Sequence, residues 1–164
     1  MSSQDVIFES RMTHIRELKT ALERERRENA ALRDELAAIK SHFDMALLAS
    51  ADLARGEKIE IWDGWNLILG SGSVAHNLDG LVDLAQKSGR RVWIVMDGRD
   101  ENVFSRGNVR VSYTGGSGEH RADRFVADYV RMARYLGLAG QVSVRTCDKD
   151  FAAEVRRLGA SLAD

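Results

Sequence analysis

The hydrophobic pattern divides the chain into two parts. Over residues 8–54 the apolar residues recur at helical spacing, glycine is absent, and many of the other positions are charged. From Lys58 onward, short apolar runs alternate with helical segments and with glycine-rich breaks. This change predicts a long helix in residues 1–55 and an α/β domain in residues 56–164.

The long helix carries a heptad repeat, which is typical of a coiled coil. Asn29 at an a position favours a parallel two-stranded pair, whereas Arg11 and Glu25 at d positions are unfavourable. We therefore predict a homodimer that forms through this helix. The alternative is a single amphipathic helix that folds back on its own domain. The a positions are Phe8, Ile15, Leu22, Asn29, Leu36 and Phe43, and the d positions are Arg11, Leu18, Glu25, Leu32, Ile39 and Ala46.

The second part predicts a three-layer, mainly parallel α/β sheet. Strands that alternate with helices favour right-handed crossovers, which place consecutive strands parallel to one another. A further short strand is allowed at 160–162. The predicted strands are 59–62, 91–96, 109–113 and 141–146, and the predicted helices are Leu78–Lys87, 120–136 and Lys149–Leu158.

Aspartates follow three of the predicted strands. Asp63 follows the first strand, Asp97 the second, and Asp148 with Asp150 the fourth. Strand ends of a parallel sheet share one edge, where α/β folds bind ligands, and we expect Asp123 at a helix start near that edge. Carboxylates that lie close together repel one another unless a cation neutralises them, and an oxygen-only ligand set favours Mg²⁺ or Mn²⁺.

Four motifs contain these acids. They are Trp62-Asp63-Gly64-Trp65-Asn66, Val95-Met96-Asp97-Gly98, His120-Arg121-Ala122-Asp123-Arg124-Phe125-Val126 and Thr146-Cys147-Asp148-Lys149-Asp150-Phe151. In this order they resemble motifs of the NYN domains, especially the YacP-like branch, within the PIN-like nuclease superfamily. The family patterns are Asp-Gly-Tyr-Asn, Val-Phe-Asp, Thr-Ala-Asp-x-x-Ile and Thr-x-Asp-x-Asp-Phe. Arg121 departs from the family, which often has threonine at that position.

The resemblance implies a PIN/NYN-like, metal-dependent ribonuclease whose partner is RNA. By position, the resemblance assigns catalytic roles to Asp63, Asp97, Asp123 and Asp148, and metal-ligand roles for Mg²⁺ or Mn²⁺ to Asp63, Asp123, Asp148 and Asp150. The substrate-binding candidates are Asn66, Trp65, Thr146, Arg121 and Arg124: Trp65 as a stacking surface, Thr146 as a hydrogen-bonding group beside Asp63, and the arginines as phosphate ligands.

Each of these assignments has a purely structural alternative. Asp123 and Asp150 are also typical helix-start acids, which the helix dipole stabilises. Asp63 and Asp97 each precede a glycine, as acids in turns often do. Trp65 also fits a core position, and the arginines also fit solvated surfaces.

Composition limits the other functional classes. The chain has 164 residues, a net charge of -1 and a single cysteine, so the overall charge does not indicate a nucleic-acid binder and no internal disulfide forms. We find no signal peptide or membrane span and expect a cytoplasmic location. The second functional hypothesis is a catalytically inactive RNA- or protein-binding adaptor. A dehalogenase-type phosphotransfer domain is disfavoured because Trp65 stands where its second aspartate is needed.

Overall fold

The computed structural model describes residues 3–116 and 120–163, so the end of the glycine-rich loop expected before Asp123 lies outside the described residues. The helices and strands follow the predicted alternation. A short 3₁₀ turn occupies Ala139–Gln141. In chain order the elements are α1 (Ser3–Leu53), β1 (Ile59–Asp63), α2 (Gly64–Leu69), α3 (Leu78–Lys87), β2 (Val92–Met96), β3 (Glu101–Arg106), β4 (Val109–Thr114), α4 (Arg121–Tyr135), β5 (Val142–Arg145), α5 (Lys149–Leu158) and β6 (Ser161–Leu162).

The chain forms two compact units, Met1–Ser41 and His42–Asp164. In its described part the first unit is a helix, and the second unit begins within α1, earlier than the expected boundary at residue 56. The reason is that Met45, Ala49 and Leu53 are buried in the core of the second unit. The predicted long helix is therefore confirmed, whereas its pairing with a second copy stays a prediction.

The six strands form one sheet in the order β3-β4-β2-β1-β5-β6. Strand β1 lies between β2 and β5, and these contacts, like those of β2 with β4 and β5 with β6, are parallel. Only β3 is antiparallel among the described strands. The predicted mainly parallel sheet is confirmed, and β3 is an additional edge strand that the sequence analysis did not predict.

Helices cover both faces of the sheet. The end of α1 packs with α4 and α5 on one face, and α2 packs with α3 on the other. Side chains of β1 and β2 alternate between the two clusters, as in a sheet that is buried on both sides. These contacts confirm the three layers. Within the described residues no helix is both long and apolar enough to span a bilayer.

Asp52 fixes the end of α1 to the sheet. Its carboxylate is 5% exposed. It accepts hydrogen bonds from Arg91 Nη2 at 2.8 Å, Arg110 Nη2 at 2.6 Å and the Tyr129 hydroxyl at 3.2 Å. The Arg110 guanidinium also stacks on Trp93, 3.9 Å from the ring centroid. Burial and the neighbouring Asp52 carboxylate raise the pKa of Tyr129, so its hydroxyl stays a donor.

We predict that Asp52→Ala lowers the free energy of unfolding by about 3 kcal/mol, because the substitution leaves two arginines without their shared carboxylate. Denaturant unfolding of the full chain measures the change. Asp44→Ala is the matched control, since Asp44 is exposed on the same helix and its loss should change stability by less than about 0.5 kcal/mol. Equal effects of the two substitutions would contradict this role of Asp52.

Candidate active site

Parallel pairing brings three of the predicted site residues to one edge of the sheet. Asp63 ends β1, Asp97 follows β2 directly, and Thr146 follows β5 directly. Because side chains alternate along strands, these residues lie on the face that α4 and α5 cover. Helices α4 and α5 begin at the same edge and add Asp123 and Asp148.

Gly64 explains why an Asp-Gly pair stands at the end of β1. Helix α2 begins at Gly64, immediately after the strand, and packs against β2. A Cβ atom at Gly64 would lie 2.7 Å from Met96 Cγ and 3.0 Å from Ile94 Cγ2, which is too close for any other residue. The glycine therefore allows the first residue of α2 to lie close against β2, directly after Asp63.

Asp63 is a buried carboxylate among other acids. Its residue is 6% exposed. The pKa of Asp63 is raised to about 6: burial is the largest cause, the charges of Asp123 and Asp148 add to it, and the Thr146 hydrogen bond opposes it. Within the described residues no arginine or lysine forms an ion pair with Asp63. The charges of Asp123 and Asp148 therefore act on Asp63, whereas the shared role of these acids in one site stays a prediction.

Thr146 connects Asp63 to the start of α5. Its hydroxyl accepts a hydrogen bond from the Asp148 amide at 3.1 Å, and it donates to Asp63 Oδ2 at 2.9 Å. A hydroxyl has one proton, so the first bond favours the orientation in which that proton points to Asp63. This bond orients one oxygen of the Asp63 carboxylate.

Asp148 caps α5 with one oxygen. Its Oδ1 accepts from the amides of Asp150 at 2.8 Å and Phe151 at 3.0 Å. The other oxygen, Oδ2, makes no hydrogen bond within the described part of the chain. Asp150 is exposed in the first turn of α5, as the helix-start alternative anticipated. Asp148 thus has a structural role and a free oxygen, whereas the only described bond of Asp150 uses its backbone.

Asp123 is half-buried in the first turn of α4. Burial raises its pKa, the neighbouring His120 lowers it, and the charges of Asp148 and Asp97 raise it further. The His120 Nδ1 atom lies 3.1 Å from Asp123 Oδ2. His120 itself is exposed and precedes the helix in a left-handed conformation, with φ 56°. His120 was not predicted as a site residue. Its position three residues before Asp123, at the start of a helix, is the feature of the sequence that indicates this contact.

Asp97 positions α4. Its Oδ1 accepts from the Ala122 amide at 2.7 Å and from the Thr114 hydroxyl at 3.3 Å. The backbone carbonyl of Asp97 also accepts from the Trp65 indole at 2.7 Å. These bonds give Asp97 a capping role for the helix that carries Asp123. Trp65 is 42% exposed, so it is not the core residue of the structural alternative.

Two predicted substrate residues have structural contacts in this structure. Asn66 Oδ1 accepts from the Cys147 amide at 3.2 Å and so fixes the loop that precedes Asp148. Arg121 Nη2 donates to the Thr114 carbonyl at 3.4 Å, and its guanidinium lies against Gly116, where a Cβ atom would clash with it. Arg121 does not line the cleft described next.

A cleft of about 680 Å³ lies between α4 and α5 and extends along both helices from their first turns. Arg131 pairs with Asp128 and Glu154 in this cleft, whereas Arg124 and Arg157 form no ion pair within the described residues. Arg157 was not predicted, although it follows Asp150 and Glu154 at the spacing of one helix face. The charged residues and histidine that line the cleft are His120, Asp123, Arg124, Asp128, Arg131, Asp148, Asp150, Glu154 and Arg157.

The donor chemistry of this edge suits a hard divalent cation, since its free side-chain oxygens belong to carboxylates. However, no group of three or more His, Cys, Asp or Glu side chains stands at metal-binding distances within residues 3–116 and 120–163. The described side chains therefore do not complete a three-ligand site. Mg²⁺ commonly binds with one or two carboxylates and several waters, and the binding of such an ion at this edge stays a prediction.

Comparisons with known proteins find one distant structural similarity at the reported level. The chain is similar to the crystal structure of Rae1 (YacP) from Bacillus subtilis, with 23% identity and a TM-score of 0.40 over 65% of this chain and 68% of that chain. No protein-family model matches the sequence, and no curated protein matches it. Values this low assign neither a fold nor a function to this chain, so the NYN resemblance stays a prediction from the four motifs.

The raised pKa of Asp63 predicts a pH-dependent stability. Between the ordinary pKa of 3.8 and the folded value of about 6, the folded chain binds more protons than the unfolded chain, so this residue's contribution to stability falls as pH rises. We compare the change in the free energy of unfolding that Asp63→Asn causes at two pH values, without divalent ions. This change should be more stabilising at pH 8 than at pH 4 by about 1–3 kcal/mol. Denaturant unfolding at both pH values measures this difference.

Asp83→Asn is the control because Asp83 is exposed on α3, on the other face of the sheet. This control should show no pH-dependent gain. A gain at pH 4 equal to that at pH 8 for Asp63→Asn would contradict the unfavourable burial of a charged carboxylate.

Proposed function

We propose that this protein is a ribonuclease that hydrolyses RNA phosphodiester bonds with Mg²⁺ or Mn²⁺. The observation that carries the proposal is the buried carboxylate of Asp63, which Thr146 orients at the carboxyl edge of a parallel sheet beside Asp123 and Asp148. The four motifs that resemble those of the NYN domains support the same function.

The acids at this edge are suited to hold a cation. A bound divalent ion supplies positive charge that lowers the pKa of water and stabilises the charge developing on a phosphodiester. Asp63 and Asp123 offer carboxylates whose pKa values are raised, because burial disfavours their charged forms. Asp148 offers its Oδ2, because its Oδ1 is used by the helix cap.

Other residues of the edge have supporting roles in this proposal. Thr146 keeps Asp63 oriented, and Asp97 holds the start of α4 so that Asp123 faces the cleft. Asp150 is a weaker candidate ligand because it is exposed at the cleft margin. Asp97 is therefore a positioning residue here and not a group that contacts the substrate.

The substrate site combines cations with an aromatic surface. Arg124 and Arg157 line the cleft and have no ion-pair partner in the described part of the chain, so both are available for phosphate oxygens. Trp65 is held by its bond to the Asp97 carbonyl and leaves part of its ring exposed for stacking on a base. This combination suits single-stranded RNA better than a fully paired duplex.

A second function is favoured by one observation: the described carboxylates do not complete a three-ligand metal site. In this version the domain is an adaptor that binds RNA without cutting it. The same arginines and Trp65 would bind the strand, whereas Asp63 and Asp148 would have no catalytic role.

We also propose that two copies associate through α1, with each copy carrying its own site. The exposed apolar a and d residues of this helix support the association.

Divalent-ion binding distinguishes the two functions without an activity assay. We expect Mn²⁺ to raise the melting temperature of the full chain, because a cation relieves the repulsion at Asp63. The shift should be absent in Asp63→Asn and unchanged in Asp83→Asn. An equal Mn²⁺ shift in Asp63→Asn would place the ion elsewhere, and no shift in the wild-type chain would favour the adaptor.

Cleavage of labelled single-stranded RNA tests the activity. With Mn²⁺ we expect cleavage that EDTA stops and that falls at least about 100-fold in Asp63→Asn and Asp148→Asn. Asparagine preserves the helix cap at position 148, so this variant removes charge with little structural change. Asp97→Asn keeps the acceptor for the Ala122 amide and should retain most of the activity.

Cleavage that persists in Asp63→Asn would point to a contaminating nuclease. RNA binding without cleavage in the wild-type chain, unchanged in Asp148→Asn, would establish the adaptor instead.

A further inference from the structure

An apolar stripe runs along α1, formed by the a and d residues Phe8, Ile15, Leu18, Leu22, Leu32, Leu36, Ile39 and Phe43. These residues are 44–67% exposed in the single chain. Exposed leucines, isoleucines and phenylalanines along one face, here interrupted by Glu25 and Asn29, are typical of an interaction surface. A stripe at a and d positions fits another helix with the same spacing, and a second copy of this chain provides one.

The positions that flank the stripe carry opposite charges in two separate columns. The e positions include Lys19, Arg26, Arg33 and Lys40, whereas Glu28 and Glu35 occupy successive g positions. Within the described part of a single chain, Arg33, Glu35 and Lys40 have no ion-pair partner. Glu28 has only a long contact, 3.9 Å from Arg24 Nε.

The two columns distinguish between the possible orientations of a helix pair. In a parallel pair, each g residue faces the e residue of the next heptad on the other helix, which joins Glu28 with Arg33 and Glu35 with Lys40. In an antiparallel pair, e positions face e positions and g positions face g positions. That arrangement would oppose basic residues to basic residues and glutamates to glutamates.

Asn29 favours the same orientation. Its Nδ2 atom donates to the Glu25 carbonyl at 3.0 Å within the helix, so its side-chain oxygen is left to accept from another group. In a parallel, in-register pair the two Asn29 side chains face each other at a positions. In an antiparallel pair Asn29 would face a d position instead. In a parallel pair the two Glu25 carboxylates face each other at d positions. The Arg26 side chains at the neighbouring e positions reduce the repulsion between these carboxylates.

We propose that two copies of this chain pair through α1 as a parallel, in-register coiled coil, whose orientation is set by the Glu28–Arg33 and Glu35–Lys40 pairs. Both chains then enter their globular units at the same end of the coil. The inference deepens the proposed association of two copies and does not depend on the nuclease activity.

Disulfide cross-linking of the full chain tests the orientation. In a Cys147→Ser background, Ile15→Cys and Leu36→Cys are made separately, since both residues are at a positions. In a parallel, in-register pair each variant forms a covalent dimer with itself under oxidising conditions. An antiparallel pair cannot bring both residue 15 and residue 36 next to their own copies. Failure of either variant to cross-link with itself, in protein that is dimeric, would overturn the proposal.

Charge reversal tests the electrostatic basis. Light scattering of the wild-type chain at tens of micromolar should give a dimer, and a monomer would overturn both the association and its orientation. The double variant Glu28→Lys/Glu35→Lys should weaken the dimer roughly a hundredfold, because attractive pairs become repulsive. Mixing it with Arg33→Glu/Lys40→Glu should restore a mixed dimer.

The matched control is Glu23→Lys/Asp34→Lys, which changes the charge equally at b and f positions away from the partner. It should leave the dissociation constant within about threefold of the wild-type value. Equal weakening by the control and the g-position variant would show that net charge, and not the g–e pairing, is responsible, and would overturn the proposal.

Discussion

The burial of Asp63 at the end of β1 is the constraint around which the candidate active site is built. A carboxylate that is 6% exposed and lies close to two other acids is unfavourable when charged. The local structure nevertheless keeps it in place: Gly64 allows α2 to begin close against β2 directly after Asp63, and Thr146 donates to the carboxylate oxygen. Since no cationic side chain among the described residues pairs with this carboxylate, its position fits the cation site proposed above.

At the amino-terminal ends of the parallel strands, buried acids of this chain do form ion pairs with arginines. Asp52 and Glu60 are about as buried as Asp63, and arginines neutralise both of them. At the carboxyl edge, Arg121 donates to the Thr114 carbonyl at the end of β4. Asp63 has no arginine partner among the described residues. The same sheet therefore has paired buried acids at one end of its strands and an unpaired buried acid, Asp63, at the other. The lack of an arginine partner is specific to the carboxyl edge.

The sequence predicted the regular elements well and the local contacts poorly. Helices α3 and α5 were predicted with the observed bounds because their apolar residues follow one face. Strand β3 was missed because an exposed edge strand has no apolar run, although Gly107-Asn108 between two extended segments is a typical hairpin signal. The role of Asp52 was also missed, since its partners Arg91 just before β2, Arg110 of β4 and Tyr129 of α4 meet it only in the folded chain.

Near its end α1 presents two different faces, which bears on the alternative of a helix folded back on its domain. Met45, Ala49 and Leu53 pack into the core of the second unit, spaced four residues apart on one face. Phe43 and Leu47 belong to the same part of the helix but are exposed. Within the second unit, the packing of α1 therefore uses residues outside the apolar stripe and leaves Phe43, the last residue of the stripe, exposed. Phe43 is thereby left available for the partner helix proposed above.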